Sequence, residues 1–141
     1  MITRAAELSD IMYVLGRLSE QNASELKAAG LNSWASLKLF KGYNDAIPAQ
    51  VALIDDKPAC VFGLAPSEDM MTTWFIATKA YFEHGAPAVL HAKRYLRDKS
   101  AEHGPLTTVT MSTHPDTERW FEILGYKKVM EKDGARVFCY S

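Results

Sequence analysis

The stretch that most limits what this chain can fold into is Met70–Ser112. It opens with MMTTWFIAT, rich in the β-branched and aromatic residues that suit a pleated surface, runs on through PAVLHAKRYLRDKSAEHG, and ends in PLTTVTMST. The middle segment predicts a long helix that Gly104 stops, because glycine takes a positive φ without steric penalty. Two strands of one sheet joined through such a helix form a parallel, right-handed crossover. A chain built around that unit is a mixed α/β domain.

The flanking segments extend the sheet. Met1–Ala5 predicts a short first strand. Ser9 or Asp10 then caps a helix in which Ile11, Met12, Val14, Leu15 and Leu18 recur at helical spacing. NASELKAAG predicts a second helix ending on Gly30, and SWASLKLFKGY a third, capped by Asn32 or Ser33. After Pro48 the β-rich runs Gln50–Ile54 and Ala59–Leu64 read as a hairpin joined through Asp55–Pro58. HPDTERWFEILGYKKV, residues 114–129, is an amphipathic helix closed by Gly125 and followed at once by a strand. YKKVMEK and ARVFCYS pair antiparallel across Asp133-Gly134. The sum is one α/β domain over residues 1–141, with a central mixed sheet of six or seven strands flanked by helices.

Composition narrows the function classes. A chain of 141 residues with 48% apolar content suffices for one sizeable core. A net charge of −1 with interspersed signs gives no footprint for gripping a phosphate backbone, so nucleic acid is not an expected partner. Cys60 and Cys139 each lie inside an apolar strand-like run, which suits reduced core thiols better than a disulfide framework. MITRAAELSD lacks the apolar stretch of a secretory signal, and no run approaches the ~20 residues of a membrane span, so a soluble, cytoplasmic protein is expected. No spacing among the histidines, cysteines and carboxylates resembles a metal set.

The element order resembles that of the GNAT N-acyltransferases, and two motifs carry the resemblance further. In that family the fourth strand runs into a turn of pattern Arg/Gln-x-x-Gly-x-Gly/Ala and then a long helix, whose free amides hold the coenzyme A pyrophosphate. FIATKAYFEHGAPAVLHAKRYL matches in length and order, with Gly85 on the first glycine position. Phe82 stands in place of Arg or Gln, and Pro87, which has no N–H, in place of Gly or Ala. Gly85-Ala86-Pro87 also reads as an ordinary helix start, since proline is favoured at the first helical positions. The second motif, Asn-x-x-Ala-x-x-x-Tyr-x-x-x-Gly-Phe, aligns through Gly125 and Tyr126. It puts His114 on the asparagine, Thr117 on the alanine and Phe121 on the tyrosine that often protonates the departing thiolate. Phe121 has no proton to give. Trp120, Phe121 and Leu124 at helical spacing are also simply a core face.

The resemblance implies acetyl-CoA between the fourth and fifth strands, its pyrophosphate over His84, Gly85, Ala86 and Ala88 and its pantetheine arm beside Phe75, Ile76 and Ala77. An amine would attack the thioester, with His84 or His114 as base and Glu83 as a weaker third choice, since imidazole titrates near neutral pH. His91 and His103 carry no site signal. A narrower likeness runs from about Glu25 to the C-terminus: ELKAAG, the strand–turn–helix above and WFEILGYKK are similar to the internal virion protein A family of short-tailed bacteriophages. That family implies a protein made in the host cytoplasm and associated with virion morphogenesis. Two functions follow: an acetyl-CoA-binding acetyltransferase with an altered catalytic motif, or a non-catalytic protein of the same fold that contacts a virion component or a host protein. Phe82, Pro87 and Phe121 support the second, as do Trp34, Phe40, Tyr43 and Trp74 if exposed; at helical or strand spacing such residues more simply fill a core.

Overall fold

A computed structural model describes all residues 1–141. Its elements are β1 (Ile2–Ala5), α1 (Leu8–Leu15), α2 (Glu20–Ala28), α3 (Ser33–Ala46), β2 (Gln50–Ile54), β3 (Lys57–Ser67), β4 (Met70–Ala77), α4 (Lys79–Glu83), α5 (Ala86–His103), β5 (Leu106–Thr110), α6 (Pro115–Leu124), β6 (Lys127–Lys132) and β7 (Ala135–Tyr140). Seven strands form one sheet in the order β1-β2-β3-β4-β5-β7-β6. β4 and β5 are the parallel pair expected from the crossover, and every other pairing is antiparallel. β7 comes last in the chain yet lies inside β6, so the hairpin folds back between β5 and the sheet edge.

Strand alternation divides the apolar residues between two cores. From β4, Trp74 and Ile76 face α1, α2 and α3, where they join Ile11, Val14, Leu26 and Phe40. Ala77 faces the other way, with Phe75 packed beside it, onto Leu96 of α5 and Trp120, Phe121 and Leu124 of α6. Two of the three hairpin turns use left-handed backbone at both central residues, Asp55 and Asp56 (φ 51° and 64°) and Asp133 and Gly134 (φ 53° and 82°). These two-residue turns match the twist of the strands they join. No helix is long and apolar enough to cross a membrane.

Several boundaries differ from the sequence reading. α1 starts one turn earlier, with Glu7 as its N-cap; Asp10 is buried three residues inside and accepts the Glu7 N–H at 2.8 Å. α3 is capped by Asn32, which accepts the Ala35 N–H at 2.8 Å, and runs on to Ala46. Pro58 belongs to β3 and not to the turn; the register shifts beside its partner Leu53, the kind of irregularity that accommodates a residue without an N–H. α4 was not anticipated at all.

Candidate functional site

β4 and β5 are in register only at Met71–Leu106 and Thr72–Thr107. Two threonine hydroxyls extend the contact by one step, Thr73 Oγ1 to the Thr107 carbonyl at 3.4 Å and Thr108 Oγ1 to the Thr73 carbonyl at 3.3 Å. Beyond them the strands part and leave a wedge.

Both sides of that wedge are tied to α2. On the β4 side, Ala77 donates its N–H to Asn22 Oδ1 at 2.8 Å and accepts the Ser19 N–H at 2.9 Å. On the β5 side, the Glu25 carboxylate accepts the Thr110 hydroxyl and the N–H groups of Met111 (3.3 Å) and Ser112 (3.2 Å). Ser112 Oγ donates to Ser24 Oγ at 3.3 Å. The helix can sit there because Ser19 caps it through the Asn22 N–H and its inward face is polar: Gln21 and Asn22 are buried with Leu26. Asn22 and Glu25, three residues apart on one face, are the side chains that the sequence reading missed. The available signal was a pair of polar residues at helical spacing beside a core leucine.

Phe75 is the exception along this edge. Main-chain groups alternate in direction, so its N–H and C=O face the same side as those of Ala77, past the last paired residue, and no side chain bonds to either.

No known protein-family profile matches the sequence, and no curated protein matches it. Solved structures do. A Streptococcus mutans protein superposes with a TM-score of 0.74 at 15% identity, covering 99% of this chain and 98% of that one. A GNAT-family acetyltransferase from Bacillus anthracis gives 0.67 at 12% identity, covering 98% and 92%. Aminoglycoside 6'-acetyltransferase type Ii gives 0.66 at 14%, covering 100% and 97%. The fold is that of the GNAT N-acetyltransferases.

Against the GNAT expectation, the turn after β4 does not form an open phosphate cradle. It is the short helix α4, and its amides are already used: His84 N–H bonds to the carbonyls of Ala80 and Tyr81 (3.0 and 3.3 Å), Gly85 N–H to Phe82 (3.2 Å) and Ala88 N–H to Gly85 (3.0 Å). Pro87 has none to offer. Of residues 84–88 only Ala86 keeps a free N–H. Phe82, on the family's Arg/Gln position, packs edge-on against Trp120 with centroids 5.0 Å apart and faces Phe75 at 6.3 Å.

The proton-transfer candidates are dispersed. His84 is exposed at the C-cap of α4. His114 is the N-cap of α6: its Nδ1 accepts the Asp116 N–H at 3.2 Å, so one ring nitrogen serves the helix. His114 shares a cavity of about 340 Å³ with Lys79, Glu83, Asp116 and Arg119, and His84 takes no part in it. Phe121 is buried among Phe75, Tyr126 and Phe138. The neighbouring phenol, Tyr126, is bound to Thr73 Oγ1 at 2.5 Å, and burial, only partly offset by that bond, pushes its pKa upward. His91, which carried no signal in the sequence, lies half-buried with Nδ1 3.2 Å from the Tyr81 hydroxyl; burial lowers its pKa.

Of the large aromatics, Phe40 and Trp74 are core residues with centroids 5.2 Å apart, whereas Trp34 is exposed. No three histidine, cysteine or carboxylate side chains converge as a metal set. Ala77, Gly85, His84 and Ala88 thus have their amides committed within the protein, and Ile76 faces β3 opposite Val61. The wedge itself keeps a cavity of about 320 Å³, lined by Asn22 and Glu25 of α2, by Thr73 and Phe75 of β4, and by Thr108 and Met111 on the β5 side.

Proposed function

We propose that this chain is a GNAT-fold protein that works by contact with another protein and not by acyl transfer. The observation that carries this reading is α2 bridging the wedge, with Asn22 on the Ala77 amide and Glu25 on Thr110, Met111 and Ser112. A pantetheine arm laid along Ala77 or along Thr110–Ser112 would have to displace those bonds, and each buried amide released without a new partner costs about 1–3 kcal/mol. The consumed amides of residues 84–88 and the missing hydroxyl at Phe121 support the same conclusion. The likeness to the internal virion protein A family gives the contact a setting: a virion component during morphogenesis, or a host protein in the infected cytoplasm.

Acetyl transfer from acetyl-CoA to an amine is the second reading. The wedge cavity beside Phe75 and the fold itself favour it, with His114 the better placed of the two histidines because it lines a cavity. Titration calorimetry with acetyl-CoA and a thiol-release assay with an amine panel separate the two. We expect neither heat nor thiol above background. Micromolar binding with turnover that His114→Ala or His84→Ala removes would replace the first reading with the second.

A further inference from the structure

α5 presents Leu90, Lys93, Arg94 and Arg97 as one stripe, at the i, i+3, i+4, i+7 spacing that aligns side chains along a single helix face. Facing it are Ile123 and Leu124 at the end of α6, Gly125, and the ring of Tyr140 from β7. Together they line a groove of about 440 Å³. Three of its side chains are cationic and none is a carboxylate. Lys93 and Arg94 have no ion pair, and Arg97 has only its neighbour Asp98, at 3.6 Å. Two aliphatic residues border the cations: Leu90 is 60% exposed and Ile123 45% exposed. Gly125 holds the Tyr140 ring close, since a Cβ there would come within 3.3 Å of it. The groove adjoins the C-terminal end of α6 and shares no lining residue with the cavity of the β4–β5 wedge.

Resting on the protein-contact reading above, we propose that this groove docks a short acidic segment of a partner protein, with at least two carboxylates flanking one aliphatic residue. Charge selects the carboxylates: Arg94 and Arg97 can each take one in a two-point hydrogen bond, and Lys93 adds a third positive charge. Leu90 and Ile123 select the aliphatic residue, which a bare polyanion lacks. From Leu90 to Arg97 the stripe runs about 10 Å at 1.5 Å per residue, the reach of three or four extended residues. A nucleic acid fits poorly: aliphatic Leu90 and Ile123, not further cations, border the stripe, and the chain as a whole carries a net charge of −1.

The test is fluorescence anisotropy with a labelled peptide in which two glutamates flank a leucine on a glycine–serine frame. Binding should weaken as salt rises. The variant Lys93→Glu/Arg94→Glu/Arg97→Glu, all at exposed positions, should lose at least about tenfold in affinity with its melting temperature unchanged. Leu90→Ser should weaken binding with the charge retained. The proposal falls if the peptide does not bind, if a peptide with serine for leucine binds equally well, or if a single-stranded oligonucleotide or phosphatidylserine vesicles bind more tightly. Acetyl-CoA calorimetry and the thiol-release assay on the native chain keep the two readings apart. A silent titration with no peptide binding removes the groove alone, whereas turnover removes the protein-contact reading.

Discussion

Ala77 donates its N–H to the side chain of Asn22 at 2.8 Å, across a separation of 55 residues, inside the space where β4 and β5 part. The bond makes α2 part of the sheet edge. With the Glu25 contacts on the other strand, it braces the two sides of the opening.

Replacing Asn22 by Ala leaves the Ala77 amide buried without an acceptor, which costs about 1–3 kcal/mol. Urea unfolding should show a lower midpoint at unchanged slope, and native-state hydrogen exchange should speed up at Ala77 while β3 stays protected. An unchanged midpoint would mean that the bond does not brace the wedge.

The sequence announced this brace only in part. The crossover was legible because its length, its β-rich ends and Gly104 all report on local backbone preferences. Which edges α2 would occupy was not, because Asn22 and Glu25 find their partners at Ala77 and Thr110–Ser112, and nothing local marks a polar helix face as one that packs against distant strand ends. α4 escaped notice for a related reason: Lys79–Glu83 matches a family turn by position, yet Phe82 finds Trp120 and pulls the segment into a helical turn against the core. His114, a candidate base by its titration range and by its place at the end of an element bordering the cleft, stands directly before Pro115 and serves as the N-cap of α6.

Gly63 has a role that the sequence left silent. A Cβ there would lie 3.0 Å from Ala49 Cβ and from Cε2 and Cζ2 of Trp74. All three belong to packed structure, with Trp74 and Ala49 in the core on the α1–α3 face. Gly63→Ala should therefore destabilise by about 1–3 kcal/mol through overpacking, although alanine normally suits a strand better than glycine. Thermal unfolding checks this, and tryptophan fluorescence should report a displaced Trp74. A variant as stable as the native chain would contradict the close packing.

Asp10 gives stability an acid dependence. Burial raises its pKa, but two Arg4 bonds, at 2.7 and 2.8 Å, and the Glu7 N–H outweigh that and hold the carboxyl below its ordinary range. A depressed carboxylate contributes stability that is fully present above the unfolded value, about 3.9, and is lost as pH falls through the lower folded value. Asp10→Asn should melt at a lower temperature at pH 7, and its difference from the native chain should shrink below about pH 4. A difference independent of pH would assign the loss to packing alone.

Gly85 separates a conformational role from a ligand-binding one. At φ 70° and ψ −129° it holds a backbone geometry that side chains strain to adopt, while a Cβ built there meets nothing within 4 Å. Gly85→Val should therefore lower stability by about 1–3 kcal/mol through strain at the junction of α4 and α5. Pro87→Ala makes the complementary change, returning an N–H to the first turn of α5 without altering a buried contact, since Pro87 is exposed. If the junction were a phosphate cradle short of one donor, Pro87→Ala would strengthen acetyl-CoA binding and Gly85→Val would abolish it. We expect both titrations to remain flat, because the amides of His84, Gly85 and Ala88 stay bonded within the protein in either variant. Heat released by Pro87→Ala alone would show that a single missing donor, and not the internal bonding of α4, keeps the ligand out.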